Sequence, residues 1–183
     1  MYFALVYYPN IDNKAFHSFR RKYDPWYFLL PPHVPFVFPT PVEIGRKNLE
    51  NHISYVLNKW EKFEVRFNTI EKTWDHWMFL GAGEGKEKVV RLHDELYTDI
   101  LASHLRTDLP FDPHIGLGVF SKQEYNFNHP EARLELDLTR FQKALDEFKQ
   151  LKFEIACTID LLVLIEINED FTRCDDLRTF LLA

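Results

Sequence analysis

The sequence is short of the residues that mark several large classes of protein. Cysteine occurs twice, at Cys157 and Cys174, in no CxxC pattern and with no companion histidine at ligand spacing. Neither a disulfide framework nor a structural zinc site is indicated, and two free thiols suit a reducing, cytoplasmic compartment. Basic residues are outnumbered, 22 Lys and Arg against 28 Asp and Glu, giving a formal charge of −6. A protein that coats long duplex nucleic acid draws its affinity from many cationic contacts to phosphates, so this balance argues against such a partner. A small or terminal phosphate remains open as a ligand. Residues 25–42 carry no Asp, Glu, Lys or Arg, yet they hold six prolines, each a helix breaker, so no membrane-spanning helix is expected there. The apolar start, Met1 to Val6, lacks the cationic residues and cleavage site of a secretory signal and reads as a strand.

Motifs that would point to other chemistry are also missing. The run Gly81-Ala82-Gly83-Glu84-Gly85-Lys86 lacks the four-residue gap before Gly-Lys and the following Ser or Thr of a phosphate loop, and reads as a turn. His93-Asp94-Glu95, with His104, does not form HExxH. His17, His52, His76 and His129 have no second partner at a motif spacing and are assigned to the surface or to packing. No metal and no cofactor is called for.

What is present suits one soluble domain over residues 1–183, with 46% hydrophobic and 27% charged residues. Aromatic residues make up 16% of the chain, enough rings for a core and for a groove on which a planar ligand stacks. Residues 2–8 read as a strand, Ile11 to about Lys22 as a helix, and His33 to Phe38 as a strand. Leu49, Ile53, Leu57 and Trp60 share one face of a helix near 46–60. Phe63 to Thr73 and Trp77 to Leu80 suit a hairpin, and a helix over about 86–104 aligns Val89, Leu92, Leu96 and Ile100. His114 to Phe120 is a further strand. Leu134, Leu138, Phe141, Leu145 and Phe148 give the clearest amphipathic helix, followed by strands at Phe153 to Ile159, Leu161 to Ile167 and Leu177 to Leu182. Interspersed strands and helices with hairpin signals favour an α+β layered domain over a doubly wound one.

One internal echo stands out: Pro32-His33-Val34-Pro35-Phe36 and Pro113-His114-Ile115-Gly116-Leu117. Each is a Pro-His pair opening an apolar strand. Strand residues two apart share a face, so His33 lies with Pro35 and His114 with Gly116, while Val34, Phe36, Ile115 and Leu117 turn to the core. Two such strands side by side place an imidazole on each wall of a cleft. One imidazole can take a proton from an attacking hydroxyl while the other gives one to a leaving oxygen. Unperturbed imidazoles titrate near 6.5, so this chemistry is expected near neutral pH.

Arg20-Arg21-Lys22-Tyr23-Asp24-Pro25, followed by Pro32-His33-Val34-Pro35-Phe36-Val37-Phe38-Pro39, resembles the first half of the bacterial 2′,5′ RNA ligase (LigT-like) branch of the 2H phosphoesterase superfamily. His114-Ile115-Gly116-Leu117-Gly118 resembles the second half. The resemblance implies a bilobal, pseudo-twofold pair of antiparallel sheets flanked by helices, with the cleft between the lobes. It also implies metal-independent hydrolysis of 2′,3′-cyclic phosphodiesters, or reversible 2′,5′ ligation of RNA ends, with His33 and His114 as the catalytic pair. The family's motif is His-x-Thr/Ser-x, and this chain departs from it: Pro35 and Gly116 stand where the family has a hydroxyl that bonds the phosphate. Proline offers no donor, and glycine offers only its N–H. The substrate-facing set is therefore Pro35, Gly116, Phe120 as a stacking ring, although a core ring is the more frequent use of a strand phenylalanine, and Arg21 as a cation, although a basic last helical turn also simply complements the helix dipole. Tyr23 and Asp24 are read as shaping the turn before Pro25. The leading expectation is a monomeric cyclic phosphodiesterase or 2′,5′ RNA ligase-like enzyme whose partner is a nucleotide or RNA terminus carrying a phosphate. The alternative is a catalytically weakened module that binds such an end, and a purely structural interaction protein comes third.

Overall fold

The computed structural model describes residues 1–108, 110–124 and 135–182. His129, and Leu134 of the amphipathic series, lie outside the described residues. Strand β1 (Tyr2–Tyr7), helix α1 (Lys14–Tyr23) and strand β2 (Val34–Pro41) open the chain. Helix α2 (Arg46–Leu57) leads to a hairpin of β3 (Phe63–Lys72) and β4 (Trp77–Ala82). Then come helix α3 (Lys86–Leu96), β5 (His114–Val119), α4 (Leu138–Leu151), β6 (Ile155–Ile159), β7 (Leu161–Ile167) and β8 (Cys174–Leu181).

The strands form two four-stranded sheets, in the orders β2-β1-β7-β8 and β5-β4-β3-β6. Every pairing is antiparallel. Each sheet contains the same unit, a strand, a helix and an antiparallel edge strand: β1-α1-β2 in one and β4-α3-β5 in the other. This is the pseudo-twofold α+β arrangement that the family resemblance implies. An edge suits β2, because Pro35, Pro39 and Pro41 cannot donate to a ladder on both sides.

Local chemistry sets the helix limits. The Asn13 side chain accepts the Phe16 N–H at 3.0 Å, so α1 starts three residues after the expected Ile11. Asp137 accepts the Arg140 N–H at 2.9 Å and opens α4 at Leu138. The single helix expected over 86–104 is instead two pieces. Helix α3 stops at Leu96, Asp99 takes a left-handed φ of 49°, and a short 3₁₀ turn covers Asp99–His104. The Thr98 hydroxyl bonds back to the Glu95 carbonyl at 2.8 Å, a local competitor to continued helix.

The expected alternation holds in both histidine strands. Val34, Phe36, Ile115 and Leu117 are all fully buried in the main core. That core also takes Phe16 and Phe19 from α1 and Phe148 from α4, rings whose complete burial is worth about 1.5–3 kcal/mol each. A second apolar cluster covers the other face of the first sheet, where Ala4, Val6, Val163 and Ile165 pack beneath Leu29 and Leu30 of the proline-rich loop.

The two lobes are braced crosswise. Helix α1 packs on β5, and α3 packs on β2, so each unit's helix supports the other unit's histidine strand. At the first crossing a side chain on Gly118 would lie 2.7 Å from the Tyr23 carbonyl oxygen, which is why glycine is needed there. At the second, His93 Nδ1 meets the Phe36 carbonyl at 2.9 Å, and the Tyr97 hydroxyl accepts the Phe38 N–H at 3.0 Å. Side chains of α3 and its C-terminal cap thus bond backbone groups of the edge strand β2.

Candidate active site

His33 sits just before β2 and His114 opens β5, the two edge strands that touch between the lobes. The rings are held in matching ways. His33 Nδ1 lies 3.0 Å from the Pro31 carbonyl oxygen, and His114 Nδ1 lies 2.5 Å from that of Asp112. A carbonyl only accepts, so in each ring Nδ1 carries the donating hydrogen and Nε2 is left for a ligand. The intervening residue is proline both times, and its fixed φ helps present the carbonyl two residues back.

Both imidazoles are half-buried, and burial is the leading cause that lowers their proton affinity. His114 is pushed down to about 4; the Asp112 carbonyl opposes the shift, and a charge on His33 adds to it by repulsion. His33 moves the same way, with its bond to Pro31 opposing and the positive Arg20 adding. That repulsion on His114 places the two rings within electrostatic reach of one another. At pH 7 the free protein therefore holds both in the neutral form. A phosphate anion between them would favour protonation, since an opposite charge within about 4–6 Å favours the charged form.

Aromatic rings surround His114. Phe79 of β4 stacks on it with centroids 3.6 Å apart, and Phe38, which is 40% exposed, lies at 6.4 Å on an approach near parallel. Nothing in the sequence singles out either ring, and both read there as ordinary strand phenylalanines. The Lys86 ammonium pairs with the Asp112 carboxylate and so steadies the residue whose carbonyl holds His114. Among the described residues no three His, Cys, Asp or Glu side chains converge on a point where a metal would sit. Two cavities, of about 370 and 390 Å³, lie along Tyr7 and Cys157 and along Arg20 and Pro31, and neither is lined by His33 or His114.

A family model described as the 2'-5' RNA ligase superfamily matches residues 8–171. The chain belongs to that superfamily. Solved structures agree on the fold of this 2′-5′ RNA ligase superfamily member. TT0787 of Thermus thermophilus is 14% identical at a TM-score of 0.60, with 100% of this chain and 98% of that one covered. E. coli LigT in complex with 3′-AMP is 16% identical at 0.52, over 99% and 96%. Kluyveromyces marxianus Usb1 is 12% identical at 0.51, over 96% and 97%. No curated protein sequence matches the chain.

The remaining expected site residues of this superfamily member fall in three environments. Pro35 is buried opposite Val6, and Gly116 is half-buried opposite Phe79, each on its histidine's face. Arg21 is exposed on α1, its guanidinium 5.7 Å from the Phe28 ring centroid. Phe120 requires a correction. It has no exposed surface and packs against Tyr23 and Phe141 at 5.4 and 5.5 Å, so its ring is core and has no face to offer a base.

Arg20 also departs from expectation, since a solvated last helical turn is the simpler reading of the sequence. It is 1% exposed, and its Nε bonds Asp24 Oδ2 at 2.9 Å. Its Nη2 also contacts Asp24 and reaches the Leu30 carbonyl at 3.4 Å. Asp24 in turn accepts the Trp26 N–H at 2.8 Å, the turn role read for it from the sequence. The pair thus ties α1 to the loop that ends in His33. Asp24→Ala strands a buried guanidinium and is expected to lower folding stability by about 3–5 kcal/mol, measured by urea denaturation.

Proposed function

We propose that this protein is a metal-independent phosphoesterase acting on a 2′,3′-cyclic or 2′,5′-linked nucleotide or RNA end, with His33 and His114 as its acid and base. The observation that carries this reading is the matched pair of imidazoles, each fixed through Nδ1 to a carbonyl two residues back and each with Nε2 available to a phosphate. In hydrolysis of a cyclic diester, one Nε2 takes a proton from the attacking water as its oxygen bonds phosphorus. The other gives a proton to the ribose oxygen as the old P–O bond breaks. The superfamily supports a phosphate ligand, and LigT has been crystallised with 3′-AMP, NADP+, ATP and phosphate.

A second reading rests on Pro35 and Gly116, which supply no hydroxyl to the phosphate: a module that binds a nucleotide or RNA end but turns it over slowly. One assay separates the two. Purified protein is given nucleoside 2′,3′-cyclic phosphates with and without EDTA, and binding is followed by imidazole NMR signals. Turnover that survives EDTA supports the first reading. Binding without turnover supports the second, and activity lost to EDTA but restored by a divalent metal overturns the metal-free mechanism.

A further inference from the structure

Beside His114 the second sheet carries a feature that the two-histidine scheme leaves unused. Gly81 of β4 pairs with His114 across the ladder, and Thr69 of β3 pairs with Gly81 on its other side. Directly paired residues share a face, so His114, Gly81 and Thr69 form one row, with Phe79 and Glu71 in the next. Leu80 and Ile115, paired with each other, are fully buried on the opposite face. The row of Gly81 therefore belongs to the face that presents His114.

Gly81 leaves the middle of this row empty, and Glu71 fills it. A Cβ at position 81 would collide with Glu71 Oε1 and lie 2.6 Å from Thr69 Oγ1. Only glycine lets the carboxylate fold across β4 toward the histidine strand. The Thr69 hydroxyl donates to Glu71 Oε1 at 3.0 Å and holds it there. Lys86, already paired with Asp112, feels the Glu71 charge as well, so the carboxylate sits in a polar corner with the anchor of His114.

The direction of these hydrogen bonds determines what can bind. Thr69 spends its proton on Glu71, which leaves the Thr69 oxygen and the second carboxylate oxygen as acceptors. A phosphate is itself an acceptor and carries like charge, so it is turned away from this corner toward the imidazoles. We propose that Glu71, held over Gly81 by Thr69, is a subsite for a hydroxyl donor on the sugar of a phosphodiester ligand. The proposal rests on the phosphoesterase or nucleotide-binding reading of the His33 and His114 pair, and it specifies that the ligand is a phosphodiester whose sugar carries a free alcohol.

The test compares cytidine 2′,3′-cyclic phosphate, whose one free ribose hydroxyl is at C5′, with its 5′-O-methyl ether. Dissociation constants, and KM where turnover occurs, are measured for wild type, Glu71→Ala, Thr69→Val and Gly81→Ala. A hydrogen bond to a charged group predicts that wild type prefers the free hydroxyl by about tenfold or more. Glu71→Ala should erase that preference by weakening only the unmethylated ligand. Thr69→Val and Gly81→Ala should erode the preference too, and Glu71→Ala alone suffices if Gly81→Ala fails to fold. A wild type that binds both ligands equally, or a Glu71→Ala variant that weakens both alike, overturns the subsite while leaving the two-histidine reading in place. A wild type that binds neither ligand overturns that reading, and this one with it.

Discussion

His114→Asn is expected to reduce turnover of a nucleoside 2′,3′-cyclic phosphate by about 10²–10⁴-fold, the usual contribution of a positioned acid or base. Asparagine is chosen because its amide N–H can replace the Nδ1 donor to the Asp112 carbonyl, so the local fold and the end of β5 are kept while Nε2 is lost. His33→Asn should do the same through the Pro31 carbonyl. The double variant should fall little below either single one, because an acid and a base acting on one transition state are not additive. Steady-state kinetics with a thermal melt on each variant checks this. Intact melts with unchanged rates would remove the histidines from the mechanism.

The same pair sets the pH optimum. The ordinary pKa of histidine, taken from the sequence alone, places activity near neutrality. In the folded protein both imidazoles are lowered, His114 to about 4, first by burial. The productive form holds one proton between the two rings, and it is most populated between their two macroscopic pKa values. Both values lie below the ordinary value of about 6.5 for free imidazole, so kcat/KM should be bell-shaped with its maximum on the acid side of that value. The sign for stability follows. As pH falls through about 6.5 the unfolded chain takes up protons that folded His114 resists until about 4, so folding stability drops over that window.

The strand placement of the candidate site could be read from the sequence because it depends on local rules. Strand alternation put His33 with Pro35 and His114 with Gly116, and it sent Val34, Phe36, Ile115 and Leu117 to the core, as observed. What was missed depends on which distant segments meet. Arg20 looks like any cation in a last helical turn until the chain turns at Asp24 and buries both. Phe120 follows a histidine strand and so looks like a stacking platform, but α1 and α4 close over it with Tyr23 and Phe141. The cross-brace of His93 and Tyr97 on β2 joins residues far apart in sequence, with no spacing to betray it. Glu71 is invisible in the sequence for another reason: its placement depends on a missing Cβ at Gly81 in the neighbouring strand.

The largest expected gain comes from restoring a hydroxyl to the second motif. Gly116 lies outside the left-handed region, and a Cβ there would meet only the Trp77 ring, at an ordinary 3.7 Å. Gly116→Thr is therefore expected to fold, with its side chain on the face of His114 and beside Phe79, its partner across the ladder. One added hydrogen bond to the phosphate should raise kcat/KM for a cyclic nucleotide by about tenfold or more. Pro35→Thr is a harder case. Pro35 is buried opposite Val6 next to the apolar cluster on that face, and an unpaired hydroxyl there costs about 1–3 kcal/mol until a phosphate satisfies it. The Pro35 variant should thus melt earlier alone and recover with ligand, whereas the Gly116 variant should gain activity with little change in melting. His33→Asn in the Gly116→Thr background should abolish the gain, since a hydroxyl that merely tightens binding cannot move the proton. If Gly116→Thr folds, binds more tightly and turns over no faster, the chain is a binding module whose limit lies in its proton transfer. If it neither binds nor turns over differently, while wild type is already fast, the phosphate is held by groups other than the motif hydroxyls.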